Sequence, residues 1–198
     1  MATTTPGRKG RKARIDGRVV PRSWKSTDAA AAAKDFFVRS RKVGPRKIAV
    51  RDLIRELCSD DPFEHRCAAE LARLVSRREP GILAGYGDVL AAVAAELPME
   101  EWQARGYVIV AAAHNAISRS QRLRLLPLVR ARLVEDRIAV RAMALEAFAV
   151  LAAHEPDLRD EAMEMLEKAR RDAASAMRAR AKLMLPLLMK AEVALRHR

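Results

Sequence analysis

From Arg46 onward, apolar residues recur at helical spacing rather than in the alternation of a strand. Pro, Gly or Asp pairs interrupt the pattern roughly every 15 to 20 residues. The interruptions are Ser59-Asp60-Asp61-Pro62, Glu79-Pro80-Gly81, Leu97-Pro98, Ser118 to Ser120, Glu135-Asp136, Glu155-Pro156 and Arg171-Asp172. They predict eight helices, over about 46–58, 62–78, 82–96, 99–117, 120–134, 137–153, 157–170 and 173–190. No stretch reads as a strand. Upstream, Ser26 or Thr27 offers an N-cap, Asp28 suits the first turn, and strong helix formers follow. A shorter helix is predicted over about 27–42, ended by Gly44-Pro45.

Alternate helices repeat one another. Val140-Arg141 is followed by Ala144, Phe148 and Leu151, and Met177-Arg178 by Ala181, Leu185 and Leu188 at the same offsets. Ala104-Arg105 leads to Val108, Ala112 and Asn115, the last a polar residue where the others carry leucine. Around Arg66 the neighbours are His65 and Ala69, while Leu71 and Leu74 suit a register counted from Phe63. The four arginines lie 39, 36 and 37 positions apart, a near-constant period of the kind that marks a repeat array. An acidic residue opens most copies: Asp61, Asp136 and Asp172, with Glu100 or Glu101 in their place before Arg105. Such a residue caps free amides and complements the helix dipole. These residues, Asp61, Arg66, Arg105, Asp136, Arg141, Asp172 and Arg178, form an expected structural ladder, with ion pairing within or between copies.

The pattern of acidic residue, Val-Arg, Ala and Leu at this period resembles the HEAT repeat. It is carried most specifically by Asp136, Val140, Arg141 and Ala144, and by Asp172, Met177, Arg178 and Ala181. The resemblance covers about residues 46–198. It implies an all-α, right-handed α-solenoid of about four helical hairpins whose second helices line a concave face, in a family of mostly binding scaffolds. A single such hairpin buries apolar side chains only toward its neighbours, so stacking is what creates a core. Residues 1–45 then form a basic tail carrying the 27–42 helix, whose Phe36 and Phe37 are expected to pack on the first hairpin as an N-terminal cap. The last residues, from Leu195 on, are expected to fray.

Composition sharpens this picture without changing it. Half of the 198 residues are apolar and only 4% are aromatic, a helix-forming alphabet. The net charge of +13 is concentrated: residues 1–51 hold fifteen Lys/Arg against Asp16, Asp28 and Asp35, which is +12 of the total. A cationic footprint therefore belongs chiefly to the tail, at Arg8, Lys9, Arg11, Lys12, Arg14, Arg18, Arg22 and Lys25. Residues 1–25 have too little to bury to offset their ordering entropy and are expected to be disordered. A second concentration, Arg119, Arg122, Arg124, Arg130, Arg132 and Arg137, running on to Arg141, is a candidate edge patch for phosphate contacts.

Other chemistry is sparse. Cys58 and Cys67 match no zinc or redox spacing. His65, His114, His154 and His197 are scattered, with no nucleophile at a telling distance. His154 reads as a dipole-compensating helix end. Glu155, Asp157, Asp160, Glu161, Glu164 and Glu167 fall at helical spacings and read as a solvated face or a docking patch for a basic partner, rather than a metal site. No metal and no cofactor is expected. There is neither a secretory apolar run at the start nor an 18-residue apolar span, so a soluble cytoplasmic protein is expected, with an Arg-rich organelle transit segment as the other reading of the N-terminus. The functional expectation is a non-catalytic scaffold that binds a protein partner through the concave face. The alternative is a nucleic-acid-binding protein using the tail and the 119–141 region. HEAT-like alkylpurine DNA glycosylases use aromatics and an aspartate on a basic concave surface, and Trp102 and Tyr107 here share one inner helix without a second inner tryptophan. HEAT-like phycobilin lyases are also known, but no residue here singles them out.

Overall fold

The computed structural model describes residues 14–15, 18–19 and 25–196. Apart from one short β pair, its regular structure is helical: α1 (Ser26–Arg39), α2 (Val43–Leu57), α3 (Pro62–Arg78), α4 (Gly87–Glu96), α5 (Trp102–Asn115), α6 (Arg119–Leu133), α7 (Ile138–His154), α8 (Arg159–Arg170) and α9 (Ser175–Arg196). Short 3-10 turns at Ala84–Tyr86, Met99–Glu101 and Pro156–Leu158 lead into α4, α5 and α8.

Each predicted helix has its counterpart, with boundaries corrected by cap chemistry. α2 begins at Val43, so Gly44-Pro45 sits in its first turn instead of ending α1. Proline is tolerated there because the first four helical amides lack intrahelical partners in any case. Asp61 caps α3 as expected, its Oδ1 accepting the Phe63 amide at 2.9 Å. The Pro127 and Pro186 rings do not break α6 and α9. Both prolines are exposed, as are Leu123 and Lys182, whose carbonyls lose their helical donors to them. α9 continues to Arg196, beyond the predicted end near 190.

One departure concerns strands. Arg14–Ile15 (β1) pairs antiparallel with Arg18–Val19 (β2), with Arg14 opposite Val19 and Ile15 opposite Arg18, and β1 lies beside α2 and α3. The rest of the expected tail, including Arg8, Lys9, Arg11, Lys12 and Arg22, lies outside the described residues, as do the last two residues of the chain.

The helices pack in a repeating order. α3 packs on α5, α5 on α7 and α7 on α9, while α2, α4, α6 and α8 each pack on the helix that follows them. α1 packs mainly on α3 and so covers the N-terminal end of this row. Phe36 is fully buried, and Phe37 packs edge-on against it with ring centroids 5.7 Å apart. The central member is α7, where every residue from Ala142 to Ala152 is buried. A helix apolar on all sides must be enclosed on all sides, and α5, α6, α8 and α9 enclose this one. Its Leu145, Phe148 and Leu151 are among the largest fully buried side chains, each worth about 1.5–3 kcal/mol of transfer free energy. Gly106 on α5 makes room for Met143 of α7: a Cβ at Gly106 would overlap the end of the Met143 side chain.

Candidate binding face

The helix row carries a charged seam along one face. On α3, Arg66, Glu70, Arg73 and Arg77 stand at offsets of four, seven and eleven residues, which places them in one stripe. Gln103, Tyr107 and His114 form the matching stripe on α5, and Glu146 and Arg180 follow on α7 and α9. Arg66 reaches Gln103 Oε1 at 3.4 Å and lies over the Phe63 ring.

Glu146 is the centre of the seam. It is fully buried in the otherwise apolar stretch 142–152 of α7, a position that costs several kcal/mol unless the charge is paired. Arg77 donates to it through Nε and Nη2, and Arg180 through Nη1. Burial alone would raise the Glu146 carboxyl, but His114 and Arg77 hold it below its ordinary value. His114 Nε2 stands 3.8 Å from Oε1, too far for a hydrogen bond, so the arginines supply the bonds. One carboxylate thus ties α3, α7 and α9 together across α5.

Arg73 sits differently. Its guanidinium lies 4.8 Å from the centroid of the Tyr107 ring, and its nearest carboxylate oxygen, on Glu70, is 3.6 Å away, beyond hydrogen-bond distance. Its Nε is buried with no hydrogen-bond partner. Burial, and then neighbouring Arg77, push its pKa below the ordinary arginine value, while Tyr107, Glu70 and Glu146 work the other way.

The arginines of the expected ladder bond their surroundings in different ways. Arg141 donates from Nη1 to the carbonyls of Glu135 and Asp136 at 2.7 and 2.9 Å. Arg178 does the same to Asp172 and Ala173 at 2.8 and 2.6 Å. These arginines staple the linker that precedes their own helix, bonding its main-chain carbonyls rather than the Asp136 or Asp172 carboxylate. Asp172 instead accepts the Ala174 amide at 2.7 Å. Only the earlier copies reach between hairpins: Arg105 is 2% exposed and bonds Glu135 Oε1 at 2.7 Å.

The candidate edge patch is charge-compensated. Arg119 and Arg122 pair with Glu155, Arg124 with Asp88, Arg130 with Glu161 and Arg132 with Glu135, and Arg137 stacks over Trp102. Several of these residues remain exposed; Arg124 and Arg130 reach from α6 to α4 and α8, whereas Arg132–Glu135 is local, three residues apart. The same pairs engage Glu155 and Glu161 of the acidic run, and Glu167 pairs with Arg170. Of the tail residues, Lys25 is exposed at the start of α1.

Burial pushes the Cys67 thiol up to about 12, and burial with Glu96 raises Cys58, so neither is a poised thiolate. His154 is held below its ordinary value by partial burial and then by Arg122, which works against the cationic helix end expected there. Among the described residues no cluster of His, Cys, Asp and Glu could hold a metal ion, and no helix is long and apolar enough to cross a membrane.

Arg73, Arg77, Glu146 and Arg180 were not singled out by the sequence reading, although a signal existed: a lone carboxylate inside an apolar helix demands a partner. Neither a scan of protein-family models nor searches of curated proteins and solved structures found a match to this chain.

Proposed function

We propose that the chain is a HEAT-like solenoid acting as a non-catalytic scaffold, which recognises a protein partner through the face of α3, α5, α7 and α9, while its cationic N-terminal segment adds affinity for nucleic acid. The observation that carries this reading is the seam: polar and aromatic side chains from four successive row helices gather on one face, whereas the cations at the 119–137 edge are already paired. A wide face with distributed polar anchors suits a macromolecular partner better than a small substrate, whose sites are concave and largely enclosed.

A photo-crosslinking amino acid placed at Gln103, on the seam, or at Glu164, exposed on α8, tests the assignment. The expected result is a nuclease-resistant protein adduct from position 103 and none from 164. Adducts only with nucleic acid, or only from position 164, would overturn it. Deleting residues 1–25 separates the tail's contribution: binding to duplex DNA or RNA at moderate salt should fall, because closely spaced cations bind by releasing counterions. Undiminished binding would remove the tail from the mechanism.

A further inference from the structure

Buried guanidinium groups are expected to have acceptors, since an unmatched donor loses its hydration without replacement. Arg77, Arg105, Arg122 and Arg180 each donate to a carboxylate, although the Nε atoms of Arg105 and Arg180 are themselves buried without a partner. Arg73 does not: its side chain is 13% exposed, yet among the described residues it makes an aromatic contact and a long ion pair and no hydrogen bond. Stacking on Tyr107 occupies the face of the guanidinium and leaves its donors, which lie in the plane, directed away from the ring. Tyr107 is itself half-buried, and no hydrogen bond engages its hydroxyl among the described residues.

We propose that Arg73, held over Tyr107, is the anchor for a carboxylate side chain of the partner, with the Tyr107 hydroxyl as an auxiliary donor. This rests on the reading of the seam as a protein-binding face and names the chemistry it recognises. A planar carboxylate matches the paired donors of one guanidinium edge. Charge decides against a nucleic-acid backbone at this place. Arg66, Arg73, Arg77 and Arg180 stand against Glu70 and Glu146, an excess of two positive charges, whereas a specific polyphosphate interface commonly neutralises about 6–10 phosphates. A small excess surrounding one arginine without a hydrogen-bonded acceptor fits a single carboxylate.

The test uses the full chain and three probes: an acetylated tetraglutamate amide, its tetraglutamine counterpart, and a single-stranded thymidine decamer. Binding is read by nuclear magnetic resonance at the Arg73 Nε–H and at the Tyr107 backbone amide, so that association with the basic tail does not register. Tetraglutamate should shift both signals and tetraglutamine neither. Arg73→Gln should weaken the tetraglutamate effect at Tyr107 at least about tenfold, the loss of one charge-assisted pair, while Arg170→Gln on α8 leaves it unchanged. The melting temperature of Arg73→Gln should be unchanged or higher, since a guanidinium without acceptors does little for the fold.

The proposal is overturned if tetraglutamate leaves the Arg73 signal in place, if the decamer shifts it and tetraglutamate does not, or if Arg73→Gln melts lower by about 4 °C or more, which would make the side chain structural. Failure here is distinguishable from failure of the scaffold reading. A protein adduct that still forms from position 103 in the Arg73→Gln protein would keep the face and discard the anchor.

Discussion

Arg77 and Glu146 are 69 positions apart and form a doubly hydrogen-bonded ion pair that passes over α5. The pair joins helices separated by a full hairpin, so it reports on the stacking of the whole row and not on one repeat contact. Removing the carboxylate while keeping its size, Glu146→Gln, leaves Arg77 and Arg180 without their counter-ion. Breaking a buried pair costs about 3–5 kcal/mol, but these arginines are 24% and 20% exposed and can partly rehydrate, so about 2–3 kcal/mol is expected. Chemical denaturation measures it. A loss under about 1 kcal/mol would mean that the pair contributes little to stacking.

Asn115 illustrates where a repeat departs from its own pattern for a physical reason. Its place in the fourth predicted helix is taken by leucine in the sixth and eighth. The side chain is fully buried, and its amide donates to Ser76 Oγ and to the Ala111 carbonyl, both at 2.7 Å. Its Oδ1 accepts the Leu83 amide, also at 2.7 Å, tying down the linker that turns at Gly81, where φ is +83°. Restoring the repeat with Asn115→Leu should therefore destabilise the protein, by about 1–3 kcal/mol, because it strands the buried Leu83 amide. An unchanged or raised denaturation midpoint would count against this.

The helices and their order were legible because each is framed by Pro, Gly or Asp and carries a 3.6-residue apolar period, both local properties. The buried α7 was legible from its near-continuous apolar run. The seam was not. Arg77, Glu146 and Arg180 come from different helices, and which charges meet depends on how far each helix turns relative to its neighbours, a quantity that no single window of sequence contains. The bonds of Arg141 and Arg178 were not legible for the same reason: whether each would turn to a carboxylate or to its own linker carbonyls depended on the linker path. The partners of the edge arginines were not legible either, because composition counts cations without counting the carboxylates that other helices bring to them.

Arg141 and Arg137 are four residues apart and differ in what they hold. Arg141 is half-buried and donates two hydrogen bonds to linker carbonyls, while Arg137 is exposed and stacks 5.4 Å from the Trp102 ring centroid. Charged hydrogen bonds to an otherwise unpaired carbonyl pair should make Arg141→Ala cost about 1–2 kcal/mol. Arg137→Ala should cost no more than about 0.5–1 kcal/mol, the range for an exposed cation–π contact. Equal melting temperatures for the two variants would refute the staple.

His65 supplies a pH dependence that can be isolated by one substitution. Burial holds its pKa below the ordinary histidine value of 6.5, against an opposing pull from Glu101, whose Oε2 is 3.6 Å from Nδ1. Around it lie Cys58, Ser59, Glu96 and Pro98, which line a pocket of about 280 Å³ with it. Because the folded pKa is depressed, the unfolded chain takes up the proton first as pH falls. The stability associated with a neutral His65 is therefore fully present above 6.5 and is lost progressively as pH drops through the lower, folded value. His65→Gln removes this proton uptake, while His154, depressed as well, stays common to both proteins. Wild type should lose stability more steeply than His65→Gln between about pH 6.5 and 5, measured by denaturant midpoints at constant ionic strength. Parallel curves over that window would show that the imidazole titrates alike in both states.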